Sequence, residues 1–152
     1  MRISSRGEYG VRAMFDLAQR FGEGPIPLKS VAERQEISEH YLEQLMGALR
    51  KAGLVNSVRG AQGGYELAQD PARITVGDVI RALEGPVLTV HGAERERDRA
   101  RASETPEQAA LTDVWIRLAA KVNEILDSVS LADLCDEAAR LKARNDSFMY
   151  HI

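Results

Sequence analysis

"SEHYLEQLMGALRKAGLVNSVRGAQGGYEL", residues 38–67, is the stretch that decides the fold. Ser38 is a good N-cap, because its side-chain oxygen can accept a backbone N–H that the first helical turn leaves unpaired. Behind it, Leu42, Leu45, Met46 and Leu49 fall on one side of a helix that stops at Gly53. The chain then reads as two short strands, Leu54–Val58 and Gly64–Ala68, joined by a glycine-rich turn. Upstream, Pro27 can open a shorter helix with Leu28, Val31 and Ala32 on one face, ending near Gln35. Two helices of about 8 and 15 residues across the tight link "EIS" make a helix-turn-helix. A hairpin with a loose tip directly after it makes that unit a winged helix.

Working outward, Ser5-Arg6-Gly7-Glu8 has the form of a capping box. Val11, Met14, Phe15 and Ala18 continue at helical spacing to about Arg20, where "FGEGP" breaks the pattern. After the hairpin, "DPAR" is followed by Thr75-Val76-Gly77-Asp78, which can cap another helix. Val76, Val79, Ile80 and Leu83 point inward there and Gly85 ends it. From 86 to 110 the pattern dissolves. "AERERDRARASETPEQ" is charged and nearly free of large apolar residues, which predicts a mobile loop. A longer helix is expected from near Leu111, with Leu111, Val114, Trp115, Leu118, Val122, Ile125, Leu126 and Val129 in a stripe. "SLADLCDEAARLKAR" predicts one more short helix, and "NDSFMYHI" a tail. The expected fold is mainly α with a small β-wing. Its parts are a winged helix-turn-helix over 1–85, a loop over 86–110, and a dimerisation helix with a C-terminal helix and tail over 111–152.

The composition sets limits. The 152 residues are 44% apolar and 28% charged, ordinary for a folded soluble chain. No apolar run approaches the roughly 20 residues that span a bilayer, and the polar start reads as no signal peptide. The single cysteine, Cys135, excludes an internal disulfide and fits a reducing cytoplasm. Net charge is −3, which argues weakly against nucleic acid. Residues 1–65 nevertheless carry nine Lys/Arg against seven Asp/Glu, whereas residues 66–152 carry eleven against sixteen. The asymmetry favours a DNA-binding N-terminal half.

A winged helix presents its second helix to the major groove, which admits one α-helix. With Leu42 and Leu45 turned to the core, Ser38, His40, Tyr41, Glu43 and Gln44 remain at the N-terminal end for DNA. Glu43 can accept from cytosine N4 but is repelled by phosphate, so it discriminates rather than anchors. Gln44 suits adenine; Arg50 and Lys51 suit phosphate. At the wing, Gly60, Gln62 and Gly63 let the backbone approach phosphates. Arg59 at the tip suits a narrow minor groove. Tyr65 and Leu67 should pin the returning strand to the helices. The bland readings are an ordinary helical corner, a plain turn, surface positions for His40 and Tyr41, and a local ion pair for Glu43.

The stripe at Val114, Trp115, Leu118, Val122, Ile125 and Leu126 is too long for one winged helix to cover, so a two-fold dimer is expected, which also supplies two half-sites. Cys135 shares an apolar helical face with Leu131, Leu134 and Ala138 and reads as a small core residue ahead of a sensor. "RERDRAR" reads as a solvated loop ahead of a DNA clamp. No nucleophile–base pair or metal-ligand cluster stands out, and three scattered histidines form no pattern, so neither an enzyme nor a cofactor is expected.

"MRISSRGEYGVRAM", "SEHYLEQL", "LRKAGLVNSVRGAQGGYEL" and "ITVGDVIRALEGP" together resemble the Rrf-two family of bacterial winged-helix regulators, over nearly the whole chain. Some members hold an iron–sulfur cluster through three closely spaced cysteines in the loop before the long helix. Residues 86–110 contain no cysteine, and thiolates are the normal cluster ligands. The resemblance is to the cluster-free branch, which includes repressors of cysteine metabolism. It implies a homodimeric repressor of sulfur-uptake and cysteine-synthesis genes. It also implies a partner, cysteine synthase, that responds to O-acetylserine. That enzyme class accepts C-termini ending in isoleucine, so Tyr150, His151 and Ile152 are candidate partner-binding residues; the bland reading tucks Phe148, Met149 and Tyr150 against the dimer. Two alternatives stay open: a cluster-free regulator of other genes with a different signal, and a protein-interaction module that uses the winged helix.

Overall fold

The computed structural model describes residues 3–88 and 104–149. Helix α1 spans Ser5–Gln19, α2 Leu28–Gln35 and α3 Glu39–Lys51. Strands β1 (Val55–Val58) and β2 (Gly64–Leu67) form an antiparallel hairpin in which Val55 faces Leu67 and Val58 faces Gly64. A short 3-10 turn at Pro71–Arg73 leads to α4 (Val76–Glu84), and α5 (Pro106–Ser128) and α6 (Leu131–Met149) follow.

One core joins these elements. Met14 and Leu17 of α1, Val31 of α2, and Leu42, Leu45, Met46 and Leu49 of α3 meet Val55 and Leu67 of the hairpin. Ile74, Val79 and Leu83 close it from the α4 side, and Leu131 at the start of α6 is fully buried in it. Burying one such side chain contributes about 1.5–3 kcal/mol, so the helix-turn-helix and its wing fold as one body with α1 and α4. Ser38, Thr75 and Asp78 cap their helices as expected: Thr75 Oγ1 accepts from Asp78 N at 3.0 Å, and the Asp78 carboxylate accepts from Thr75 N at 3.0 Å.

Three local expectations are corrected. The Ser5–Glu8 capping box does not form. Ser4 is the N-cap of α1, its carbonyl accepts from Glu8 N at 3.1 Å, and its hydroxyl donates to Glu84 instead. The long helix begins at Pro106, not near Leu111, so residues 106–110 of the expected loop are helical. Thr105 and Gln108 form a capping box there with Pro106 at the first helical position. An apolar stripe cannot reveal a polar first turn. Helix α6 runs on to Met149, so residues 145–149 are helix and not tail, because no proline or glycine stops it after Arg144. Residues 89–103 of the expected loop, and Tyr150, His151 and Ile152, lie outside the described residues.

Candidate nucleic-acid interface

The link between α2 and α3 is three residues long, and its geometry aims α3. Glu36 takes a left-handed conformation with φ of 53°, unusual for a residue with a side chain. It turns the chain sharply, Ile37 is buried, and Ser38 Oγ then accepts from Tyr41 N at 3.2 Å. A charged cluster holds this turn against α1. Asp16 is 1% exposed and accepts from Arg34 Nε at 3.0 Å, Arg34 Nη2 at 2.8 Å and Gln35 Nε2 at 3.0 Å. Arg20 lies 3.4 Å from the same carboxylate, and Arg12 donates to the Gln35 carbonyl. Burial pushes the Asp16 carboxyl up, but the hydrogen bonds from Arg34 and Gln35 and the charges of Arg20 and Arg34 outweigh it and hold the group below its ordinary value. The sequence reading missed this residue. The available signal was an acid on the apolar face of α1 between Ala13 and Leu17.

With its apolar side in the core, α3 turns His40, Glu43 and Gln44 to solvent. Together with Lys51, these positions follow helical spacing along one face. Gln44 Nε2 and a His40 ring nitrogen lie 3.4 Å apart, so the two polar groups present one edge. Ser38 is exposed, and its hydroxyl keeps a donor while it caps the helix. Tyr41 departs from the pattern. It is half-buried, packs on the core, and meets Tyr9 edge-to-face with ring centroids 6.0 Å apart, while Arg12 covers Tyr9 at 5.2 Å. Its ring thereby helps to hold the start of α3.

The wing is tied to the same face. Arg50 Nη1 donates to Ser57 Oγ of β1 at 3.4 Å, which places Ser57 beside the phosphate-binding candidates; no sequence signal marked it. Lys51, Arg59, Gly60 and Gln62 are exposed. Gly60 has φ of 115°, which lets the tip turn. Gly63 is half-buried, and a side chain there would strike the Val58 carbonyl, so it closes the loop on itself and is less free to meet phosphate. A side chain at Gly64 would run into the Ile26 backbone. Ile26 and Tyr65 pair there as an extra rung, with N–H···O distances of 2.8 and 2.9 Å. Tyr65 packs on the core and Leu67 is buried, as expected of the returning strand. The glycines thus serve two ends, an exposed arginine-bearing turn and a tight seat against the chain after α1.

Helix α5 carries the candidate dimer residues. It is 23 residues long and buries none of them. Trp115 is 55% and Ile125 66% exposed; Val114 and Leu118 are also exposed, and Val122 and Leu126 are half-buried. Cys135 is half-buried and packs against the core, and burial together with the Asp136 charge pushes its thiol up, which keeps it protonated. A single cysteine cannot supply the several thiolates that normally hold an iron–sulfur cluster. Among the described residues no group of three or more His, Cys, Asp or Glu is placed to hold a metal ion, and no helix is long and apolar enough to cross a membrane.

A family model described as an iron-dependent transcriptional regulator, Rrf2, matches residues 3–137. The HTH-type transcriptional regulator CymR of Bacillus subtilis (strain 168) is 45% identical over 152 residues, which cover 100% of both chains. The solved structure of CymR, the global cysteine regulator of B. subtilis, superposes with a TM-score of 0.74 at 47% identity, over 90% of this chain and 98% of that one. T. potens IscR superposes with a TM-score of 0.71 at 50% identity, over 91% of this chain and 88% of that one. These relatives are transcriptional regulators and not enzymes. A cap-aimed second helix, an arginine-tipped wing and this full-length likeness have one explanation: the chain belongs to the Rrf2 family of winged-helix transcriptional regulators.

Proposed function

We propose that this regulator is a cytoplasmic homodimer that represses genes of cysteine and sulfur metabolism and answers to cysteine synthase. The observation that carries the reading is the 45% identity to CymR along the entire chain, joined to a 23-residue helix with no buried residue. At 1.5 Å per residue α5 is about 35 Å long, and a second copy laid along Val114, Trp115, Leu118, Val122, Ile125 and Leu126 would cover its apolar stripe. Two copies would present two α3 helices to half-sites about one helical turn apart. On each half-site His40, Glu43 and Gln44 meet base edges, Ser38, Arg50 and Lys51 meet phosphates, and Arg59 with Gly60 and Gln62 enters the neighbouring minor groove. Cysteine synthase would engage the chain through Tyr150, His151 and Ile152.

The second reading, a family regulator of other genes with a different signal, draws on the 50% identity to T. potens IscR. One titration separates the two. Duplexes from upstream of sulfur-uptake and cysteine-synthesis genes are compared with scrambled duplexes and with upstream regions of unrelated operons, at two salt concentrations. The cysteine duplexes should bind about 10³-fold or more tighter than scrambled DNA, with affinity falling steeply in salt. Cysteine synthase should change that affinity and O-acetylserine should reverse the change. Preference for another operon carries the second reading, and indifference to cysteine synthase removes the partner.

A further inference from the structure

The long helix meets α4, among the described residues, through side chains and backbone near its C-terminal end. Among the described residues, Arg81 on α4 donates to Asn123 Oδ1 at 3.2 Å, pairs with Asp127, and lies 3.5 Å from Asp78. Thr75 Oγ1 lies 3.4 Å from the same Asp127 oxygen. Two backbone bonds sit beside this clamp: Val76 N donates to Val129 O at 2.9 Å, and Leu131 N to Ile74 O at 2.8 Å. Gly77 lies at the crossing, where a Cβ would run into Asp127 and the Arg81 guanidinium. Beyond Asn123, toward the N-terminus of α5, the large apolar side chains Leu118, Trp115, Val114 and Leu111 are exposed.

We propose that Arg81 is a positioning residue that sets operator half-site spacing, by locking the angle between α4 and the dimerisation helix. The inference rests on the dimeric reading above. The leverage follows from length. From Asp127 back to Leu111 is 16 residues, about 24 Å of helix. A tilt of about 10° at the clamp swings the far end by about 4 Å, more than the 3.4 Å step of B-DNA. Without the clamp, two α3 helices could settle on half-sites a base pair closer or further apart. With it, one spacing fits. The carboxylate of Asp127 accepts the guanidinium's hydrogen bond and, with Asp78, favours the charged form of Arg81.

The test uses the full chain with three variants: Arg81→Gln, Gly77→Ala, which wedges the clamp without removing a charge, and the swap Arg81→Asp with Asp127→Arg. Each is measured for dimer mass by sedimentation, for affinity to a single half-site, and for affinity to operators whose spacer is one base pair shorter, native or one longer. Arg81→Gln and Gly77→Ala should keep the dimer and the half-site affinity. Their discrimination against the wrong spacer should fall from about tenfold to under about threefold, and the swap should restore it. A variant that merely weakens the fold would lower all three operator affinities together. Unchanged spacer discrimination in both Arg81→Gln and Gly77→Ala overturns the inference. If Arg81→Gln does not fold, Gly77→Ala and the swap decide. A wild-type dimer indifferent to spacing would also overturn the inference, whereas a wild-type protein that sediments as a monomer would remove the dimeric reading on which it stands.

Discussion

Asp16→Asn tests whether a buried charge holds the helix-turn-helix in place. The substitution keeps the volume, so a cavity plays no part in the result. It removes the bidentate pairing with Arg34 at 3.0 and 2.8 Å and leaves one acceptor for Gln35. Each hydrogen bond to a charged group is worth about 1.5–3 kcal/mol, and breaking a buried pair costs about 3–5 kcal/mol. The side chains of Arg34 and Arg20 are 34% and 27% exposed, so the freed guanidiniums regain part of their hydration. The lower end applies, about 3 kcal/mol. Urea unfolding followed by far-ultraviolet circular dichroism measures it, at one fixed protein concentration, because self-association would shift apparent stability. The pH dependence has a definite sign. Arg34, Gln35 and Arg20 overcome the effect of burial and lower the folded-state pKa of Asp16. Its stabilisation is therefore complete above the unfolded value near about 3.9 and is lost as pH falls through the lower folded value. The gap between wild type and variant should be flat from about pH 7 to 5 and close as pH drops toward about 3. A gap below about 0.5 kcal/mol at neutral pH, or one that widens on acidification, would refute the reasoning.

The wing and the recognition helix allow two cleaner tests, because the residues are exposed and the fold does not depend on them. Arg59→Ala should lower operator affinity about tenfold and leave the unfolding midpoint within error; affinity unchanged in a titration at fixed salt would remove the wing from the interface. Glu43→Ala should reduce the ratio of specific to random-duplex affinity by about 1–3 kcal/mol while random-duplex affinity holds or rises. A constant ratio with both affinities lowered would show that Glu43 supports the helix and does not read a base.

Much of this protein is local and therefore legible in the chain. Ser38, Leu42, Leu45, Met46 and Leu49 specify α3 by a cap and a period, and both act within a few residues. Val58–Leu67 specifies a hairpin, because alternation and glycines are local signals too. The candidate DNA residues follow by elimination from the buried side of α3. What escaped the sequence reading depended on partners distant in the chain. Tyr41 is spaced like a surface residue, yet it is half-buried and meets Tyr9 on α1 edge-to-face. Gly64 opens the second strand as expected, but nothing local shows that the Ile26 backbone lies where its side chain would be. Asp16 gains its partners from α2, and Arg81 from α5, 42 and 46 positions away at Asn123 and Asp127. The true start of α5 was local but polar, and a search for apolar periods passes over a Thr105–Gln108 cap. Periodicity decides which face of each element is buried. Only packing decides which element covers it, because a side chain's apolar character does not name its neighbour.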